Sequence, residues 1–260
     1  PLIGVNRRWL KRGLRLLPQS QLLGIQALIQ VSGVQGSGDT GGNINPKSKI
    51  QNPKSLKPDD IGFRLGPRIN AIGRIGDPQI VIDLLTTDDA GIALERAMQC
   101  EQINARRQQL CEEIEREAIA YVESSHAMFL QDDRVLLVVQ PNWHHGVIGI
   151  VASRLVERYG VPVFIGTYED EHHIRGSARS IPEFNVFDAL EFCRDLLGKF
   201  GGHKAAGGFS LPAENLEALR SRLIQFANSC LQPEHLKPLL NIDTQTNLDR
   251  LNLQLYQQLD

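Results

Sequence analysis

Four stretches combine glycine with arginine, histidine or serine in ways suited to holding an anion. GPRINAIGR, residues 66–74, sets Arg68, Asn70 and Arg74 among glycines, with Arg64 just upstream. Glycine lets backbone N–H groups approach a ligand, and arginine offers a planar fork for phosphate oxygens. A phosphate contact and an ordinary loop with surface arginines both fit. NWHHGVIGIVASR, residues 142–154, places Trp143, His144 and His145 between a strand end and a helix start. That junction collects backbone donors, so His144 or His145 suits a phosphate and Trp143 a stacked base. The rival reading makes Trp143 core and one histidine a helix cap. HHIRGSARS, residues 172–180, puts Arg175, Ser177 and Arg179 on one face of a strand, with His173, Ile174 and Gly176 elsewhere. This is a phosphate ladder or a charged edge strand. GGHKAAGGFS, residues 201–210, is a glycine loop carrying Gly201, Gly202, His203 and Lys204. A tight turn packed on a helix explains its glycines but not His203 and Lys204.

No catalytic centre accompanies these stretches. GxSxG, Walker and HExxH patterns are absent, and acidic residues are scattered along helix faces. Adjacent His144 and His145 make a poor chelate. The four cysteines, Cys100, Cys111, Cys193 and Cys230, form no CxxC pair, which points to buried thiols in a reducing, cytoplasmic setting. No apolar run reaches membrane-span length and no signal peptide pattern opens the chain. Net charge is -2 over 260 residues, so nucleic-acid affinity has to come from local basic clusters.

The elements that must position these residues follow from periodicity. Residues 1–33 read as two helices, the first basic and amphipathic with Trp9, Leu10, Leu14 and Leu17 on one stripe, the second stopping at Gly33. Residues 34–60, with NPKS twice, read as a disordered insertion. The stretch 61–87 is an Arg/Gly cleft loop, 63–78, and a short helix from Gln79. A helix of about 55 Å over 88–124 follows, capped by Thr87 or Asp88, with Ile92, Leu94, Ala97, Ile103, Leu110, Ile114, Ala118 and Tyr121 on its apolar stripe. Such length suggests a bridge between domains, placed at 88–127. Strands and helices then alternate over 128–232, which predicts an α/β domain with a mixed sheet covered by helices. Residues 233–260 begin a further unit, LLNIDTQ as a strand and NLDRLNLQLYQQL as a helix, and both chain ends look cut.

GPRINAIGRIGDP, a long helix with NARRQ, WHHGVIGIVASRL, GSARS and GGHKAAGGFSL, in that order, resemble the RecJ-type exonucleases of the DHH phosphoesterase superfamily. The resemblance covers nearly the whole chain apart from 34–60. GGHKAAGG is shared with other superfamily members, whereas its combination with the other motifs is more specific to RecJ. It implies a 5′→3′ exonuclease acting on single-stranded DNA in recombination and repair. Its Mg2+ or Mn2+ pair would be held by Asp and His of a DHH domain, of which 1–33 is only the end. No catalytic or metal residue is therefore carried over, and the chain alone is expected to be inactive. The resemblance assigns Arg68, Asn70 and Arg74 to a loop facing the active cleft. It assigns His144, Arg175, Ser177, Arg179 and His203 to the groove for the DNA backbone or 5′ phosphate. Residues 128–232 become the DHH-associated domain and 233–260 the approach to an oligonucleotide-binding barrel. Single-stranded DNA is the expected partner, single-strand-binding protein a second, with a monomeric chain away from membranes. The alternatives are a DHH-family hydrolase of oligoribonucleotides or cyclic dinucleotides, and a non-catalytic single-strand DNA-binding accessory protein.

Overall fold

The structure, a computed structural model, describes residues 3–33, 56–125, 130–236, 242 and 244–259. The element order is α1 (Gly4–Leu16), α2 (Leu23–Val31), a π-helical turn (Asp60–Leu65), α3 (Gly66–Ile75), α4 (Gln79–Thr86) and α5 (Ala90–Ser125). Next come α6 (Leu130–Asp133), β1 (Leu136–Gln140), α7 (His145–Tyr159), β2 (Val163–Tyr168), β3 (His173–Arg179) and α8 (Val186–Phe192). The chain continues with β4 (Phe200–His203), β5 (Ala206–Pro212), α9 (Leu216–Cys230) and α10 (Leu253–Leu259).

One helix supplies both cores. α5 has 36 residues, about 54 Å at helical rise. The Asp89 carboxylate caps it, accepting from the N–H groups of Gly91 and Ile92 at 2.7 and 2.9 Å, while Thr87 Oγ1 accepts from Asp89 N–H. The cap is therefore Asp89 and not Thr87 or Asp88. Ala93, Ala97 and Cys100 bury into a first core with Leu28, Ile72 and Leu84. Further along the same stripe Cys111, Ile114, Ala118 and Val122 bury into a second core with the sheet. Small residues dominate this stripe because α2, α3, α4 and α7 pack closely on it. The larger Ile92 and Leu94, expected on it, are instead 43% and 36% exposed.

The stretch 63–78 is not a loop. Gly66–Ile75 is helical, with Pro67 in the first turn, where its missing N–H costs nothing, and Ala71 and Ile72 fully buried. Glycine is needed at 66, since a β-carbon there would lie 2.8 Å from the Ile61 carbonyl oxygen of the π-helical turn. In α1 no residue is buried, and Trp9 is 72% exposed instead of packing beside Leu14 and Leu17. The proposed insertion lies outside the described residues up to 55. Its last part does not fit that reading: Leu56 is buried and donates its N–H to the Leu14 carbonyl. The predicted strand at 239–245 falls partly outside the described residues, and Thr244 and Gln245 form no strand. Helix resumes only at Leu253, after a 3-10 turn at Leu248–Arg250.

The sheet runs in the order β1-β2-β3-β5-β4. β1 and β2 are parallel and joined through α7, whereas the other pairs are antiparallel, so the sheet is mixed. The stretch 199–211 is a hairpin, with His203 opposite Ala206 and only Lys204 and Ala205 between the strands. The sequence suggests a glycine loop leading into a strand; the strand is present as β5, and the loop part is itself the strand β4. The glycines serve strand packing: a β-carbon at Gly202 would sit 2.4 Å from the Ala206 carbonyl, and one at Gly207 would strike Val186 and Leu190.

Candidate phosphate cradle

Pairing register sorts the side chains of β3 and its neighbours onto two faces, because directly opposed residues share a face. Ile174, Gly176 and Ala178 lie with Phe209 and Leu211 on the face buried beneath α8 and α9. On the other face Arg175 stands opposite Ser210, Ser177 opposite Gly208, and Arg179 opposite Ala206. β4 extends two of these rows with Gly201, opposite Gly208, and His203, opposite Ala206. The three-residue ladder is real, but His173 has the same parity as Arg175 and belongs to this face as well. His203 is an exposed strand end and not a turn residue. A β-carbon at Gly201 would meet nothing within 4 Å, so the floor between Ser177 and His203 is bare backbone.

α7 borders the cradle on one side. Its N-cap is His144, whose Nδ1 accepts the Gly146 N–H at 3.0 Å, leaving Nε2 to carry the ring proton. The His145 ring stacks on that of His144 with centroids 5.1 Å apart. At Gly149 a β-carbon would come 2.9 Å from Ser177 Oγ and 3.1 Å from Arg179 Nη2, so only glycine lets α7 lie this close to β3. α3 closes the corner. Arg74 Nη1 donates to the Gly146 carbonyl at 3.2 Å, and a β-carbon at Gly146 would lie 2.2 Å from the Arg74 carbonyl oxygen.

The electrostatics of this corner are unbalanced. Arg179 Nη1 donates to Ser177 Oγ at 3.1 Å and to the Ala178 carbonyl at 2.7 Å. Burial, and then the positive charge of Arg74, depress the Arg179 pKa below its usual range. Among the described residues neither Arg74 nor Arg179 forms an ion pair with a carboxylate. Two guanidinium groups, one near the end of α3 and one on β3, therefore lie within electrostatic reach of each other without a carboxylate counter-charge, which a phosphate would supply.

Other expected site residues stand apart from this corner. Arg68 pairs with Glu101 and donates to the Arg64 carbonyl at 2.6 Å; its side chain is 12% exposed, so its fork is already used. Asn70 is exposed on α3, one helical turn before Arg74, and among the described residues makes no hydrogen bond to the ladder. Trp143 is 5% exposed, and its Nε1 donates to Glu117 Oε2 at 2.7 Å. Its ring is part of the core between β1, α5 and α7, so it is not available to stack on a base. Arg175 is exposed and pairs with Glu169 at 3.3 Å. Sequence reading passed over Ser210 and Gly208. The signal for both was the even spacing of the second strand of the hairpin opposite Arg175 and Ser177.

The cradle histidines are not accompanied by carboxylates in a metal-binding set: among the described residues no group of three or more His, Cys, Asp or Glu converges. The residues present do not fit an Mg2+ or Mn2+ centre. No described helix is long and apolar enough to cross a membrane.

Residues 132–229, which hold the sheet and the cradle, match the DHHA1 domain family. The long helix and the motifs ahead of it extend the likeness over most of the chain. The "Single-stranded-DNA-specific exonuclease RecJ" of Bacillus subtilis (strain 168) is 37% identical over 244 residues, 94% of this chain and 28% of that protein. That of Thermus thermophilus is 31% identical over 87% of this chain and 29% of the relative. The crystal structure of RecJ in complex with Mn2+ from Thermus thermophilus superposes with a TM-score of 0.72 at 31% identity, covering 88% of this chain and 30% of that one. The chain belongs to the RecJ family, and it spans about a third of the length of these relatives.

Proposed function

We propose that the chain is the DNA-holding part of a RecJ-type 5′→3′ exonuclease that degrades single-stranded DNA in recombination and repair. Arg74, Ser177 and Arg179 seat a strand phosphate, the 5′-terminal one in a productive complex. His144 and His203 donate at its margins, and Gly201 and Gly208 let the backbone of the strand lie close. The observation that carries this reading is that Arg179, which donates to the Ser177 hydroxyl, and the nearby Arg74 form no ion pair with a carboxylate among the described residues. Partner and compartment are part of the same proposal: single-stranded DNA, in a cytoplasm that keeps Cys100, Cys111 and Cys193 as thiols. Mg2+ or Mn2+ would supply the hydrolytic chemistry in a complete enzyme, and the chain alone would bind without cutting. Likeness to RecJ through α3 and α5 disfavours a small-substrate DHH hydrolase, whose family pattern lacks those segments.

The reading is tested by binding of fluorescent single-stranded oligonucleotides with and without a 5′ phosphate across a salt series. The wild-type chain should prefer the phosphorylated end, sequence-blind. Arg179→Ala should remove that preference, weaken binding about ten-fold and lower the salt slope by roughly 0.7. An unchanged slope and preference would refute the phosphate seat.

A further inference from the structure

The other end of the β3 ladder is built differently. Arg175 lies four residues from Arg179, about 13 Å along an extended strand. Their forks also point to different partners, Arg179 to Ser177 and Arg175 to Glu169. Around Arg175 the open face carries Ser210 directly opposite, with Lys199 exposed beside it; the Lys199 N–H donates to Ser210 Oγ at 2.9 Å. Glu169, Arg175, Lys199 and Ser210 line one groove. On the β2 side the register puts Thr167 opposite Arg175, and its hydroxyl is buried with no hydrogen-bond partner. His145 overlooks this end from the first turn of α7, close enough to Arg175 and Glu169 for both charges to act on its ring.

We propose that Arg175, Lys199 and Ser210, with His145 at the start of α7, form a second phosphate subsite, which a strand phosphate enters by displacing Glu169 from Arg175. It rests on the reading that strand phosphates occupy the open face. In the empty groove Glu169 neutralises Arg175 through a single 3.3 Å contact between half-exposed groups, an arrangement easily exchanged. The groups acting on His145 are Arg175 of β3, His144 of α7 and Glu169 of the β2–β3 turn. Burial, then Arg175, then His144 hold its pKa below the ordinary imidazole range, while Glu169 pulls the other way. A phosphate at Arg175 offsets the Arg175 charge, which after burial is the next cause disfavouring the protonated ring, and the ring then takes up a proton from solvent more readily. The His145 pKa therefore rises on binding, and affinity increases as pH falls through the pKa of the complex. The subsite selects chains long enough to span both ends of β3 over mononucleotides, which fill only the Arg179 end.

The test is oligonucleotide affinity of the 260-residue chain at about pH 8 and about pH 6, for wild type, His145→Gln and Glu169→Gln. Wild type should bind up to about ten-fold tighter at the lower pH, with a steeper salt slope. His145→Gln should bind the same oligonucleotide with most of that gain lost. Glu169→Gln should bind more tightly than wild type at about pH 8, because Arg175 is released. A pH profile in His145→Gln equal to that of wild type, or weaker binding by Glu169→Gln, would overturn the subsite while leaving the Arg179 seat standing. Absence of oligonucleotide binding by wild type at both pH values would overturn both proposals together.

Discussion

On one and the same face of the sheet, β1 and β2 present Leu136, Val138, Val163 and Ile165, all buried and covered by α7. β3, β5 and β4 present Arg175, Ser177, Arg179, Ser210, Gly208, Gly201 and His203; α7 reaches Ser177 and Arg179, while Arg175, Gly208, Gly201 and His203 are exposed. The strands are contiguous and the backbone ladder continues across the change. Side-chain chemistry alone therefore divides the surface into a half that stabilises the fold and a half left for a ligand. The boundary falls where Gly149 of α7 touches Ser177 and Arg179, so the covering helix itself forms the wall of the open half. Substitutions on the covered half should cost stability and leave phosphate contacts alone; those on the open half should do the reverse.

The largest effect tests the covered half. Ile165 is fully buried in the second core. Ile165→Ala should cost about 3 kcal/mol in urea unfolding, from lost transfer energy and the cavity left behind. The fraction that remains folded should bind oligonucleotide with a wild-type salt slope. A change in slope at constant fold would mean that the two halves are not independent.

Trp143 gives a smaller and sharper test. It lies beside the cradle in sequence, next to His144, yet its indole is held by Glu117 inside the core. Trp143→Phe keeps most of the buried ring and removes the donor. It should cost about 1 kcal/mol, the typical net worth of one hydrogen bond, with affinity for DNA unchanged. A loss of affinity without loss of stability would return Trp143 to the ligand-facing half.

What was legible in the sequence follows the same division. The alternation that puts Arg175, Ser177 and Arg179 on one face of β3 depends on neighbours along the chain, and the structure has it, with the alternate residues Ile174, Gly176 and Ala178 buried. α3 was hidden because Gly66, Pro67 and Gly73 read locally as a loop. The helix is stabilised instead by Ala71 and Ile72 burying against a helix reached much later in the chain. Trp143 and Arg68 escape a local reading for a related reason, since their partners Glu117 and Glu101 both sit on α5. The meeting of Arg74 with Arg179, 105 positions apart in the chain, depends on the packing of α3 against α7 and has no sequence-local trace.

The smallest stability effect belongs to Arg179, and its sign separates a ligand site from a structural arginine. Its guanidinium is half-buried, donates among the described residues only to Ser177 and the Ala178 carbonyl, and is opposed by Arg74. Burial and like charge both disfavour its protonated form, so the folded protein holds this charge at a cost. Arg179→Gln removes the charge while keeping a donor on that strand position. Unfolding free energy in low-salt buffer should change by less than about 0.5 kcal/mol, or rise, as for a substitution that breaks no favourable partner. Inorganic phosphate supplies the missing counter-charge. It should raise the melting temperature of wild type by mass action on the folded state, and raise that of Arg179→Gln less. Sulfate controls at matched ionic strength separate site binding from general salt effects only in part, because sulfate can fill the same seat; chloride at that ionic strength is the cleaner baseline. If Arg179→Gln instead lost more than about 1 kcal/mol and kept the full phosphate response, the guanidinium would be structural. The open half of the sheet would then need another explanation for being bare.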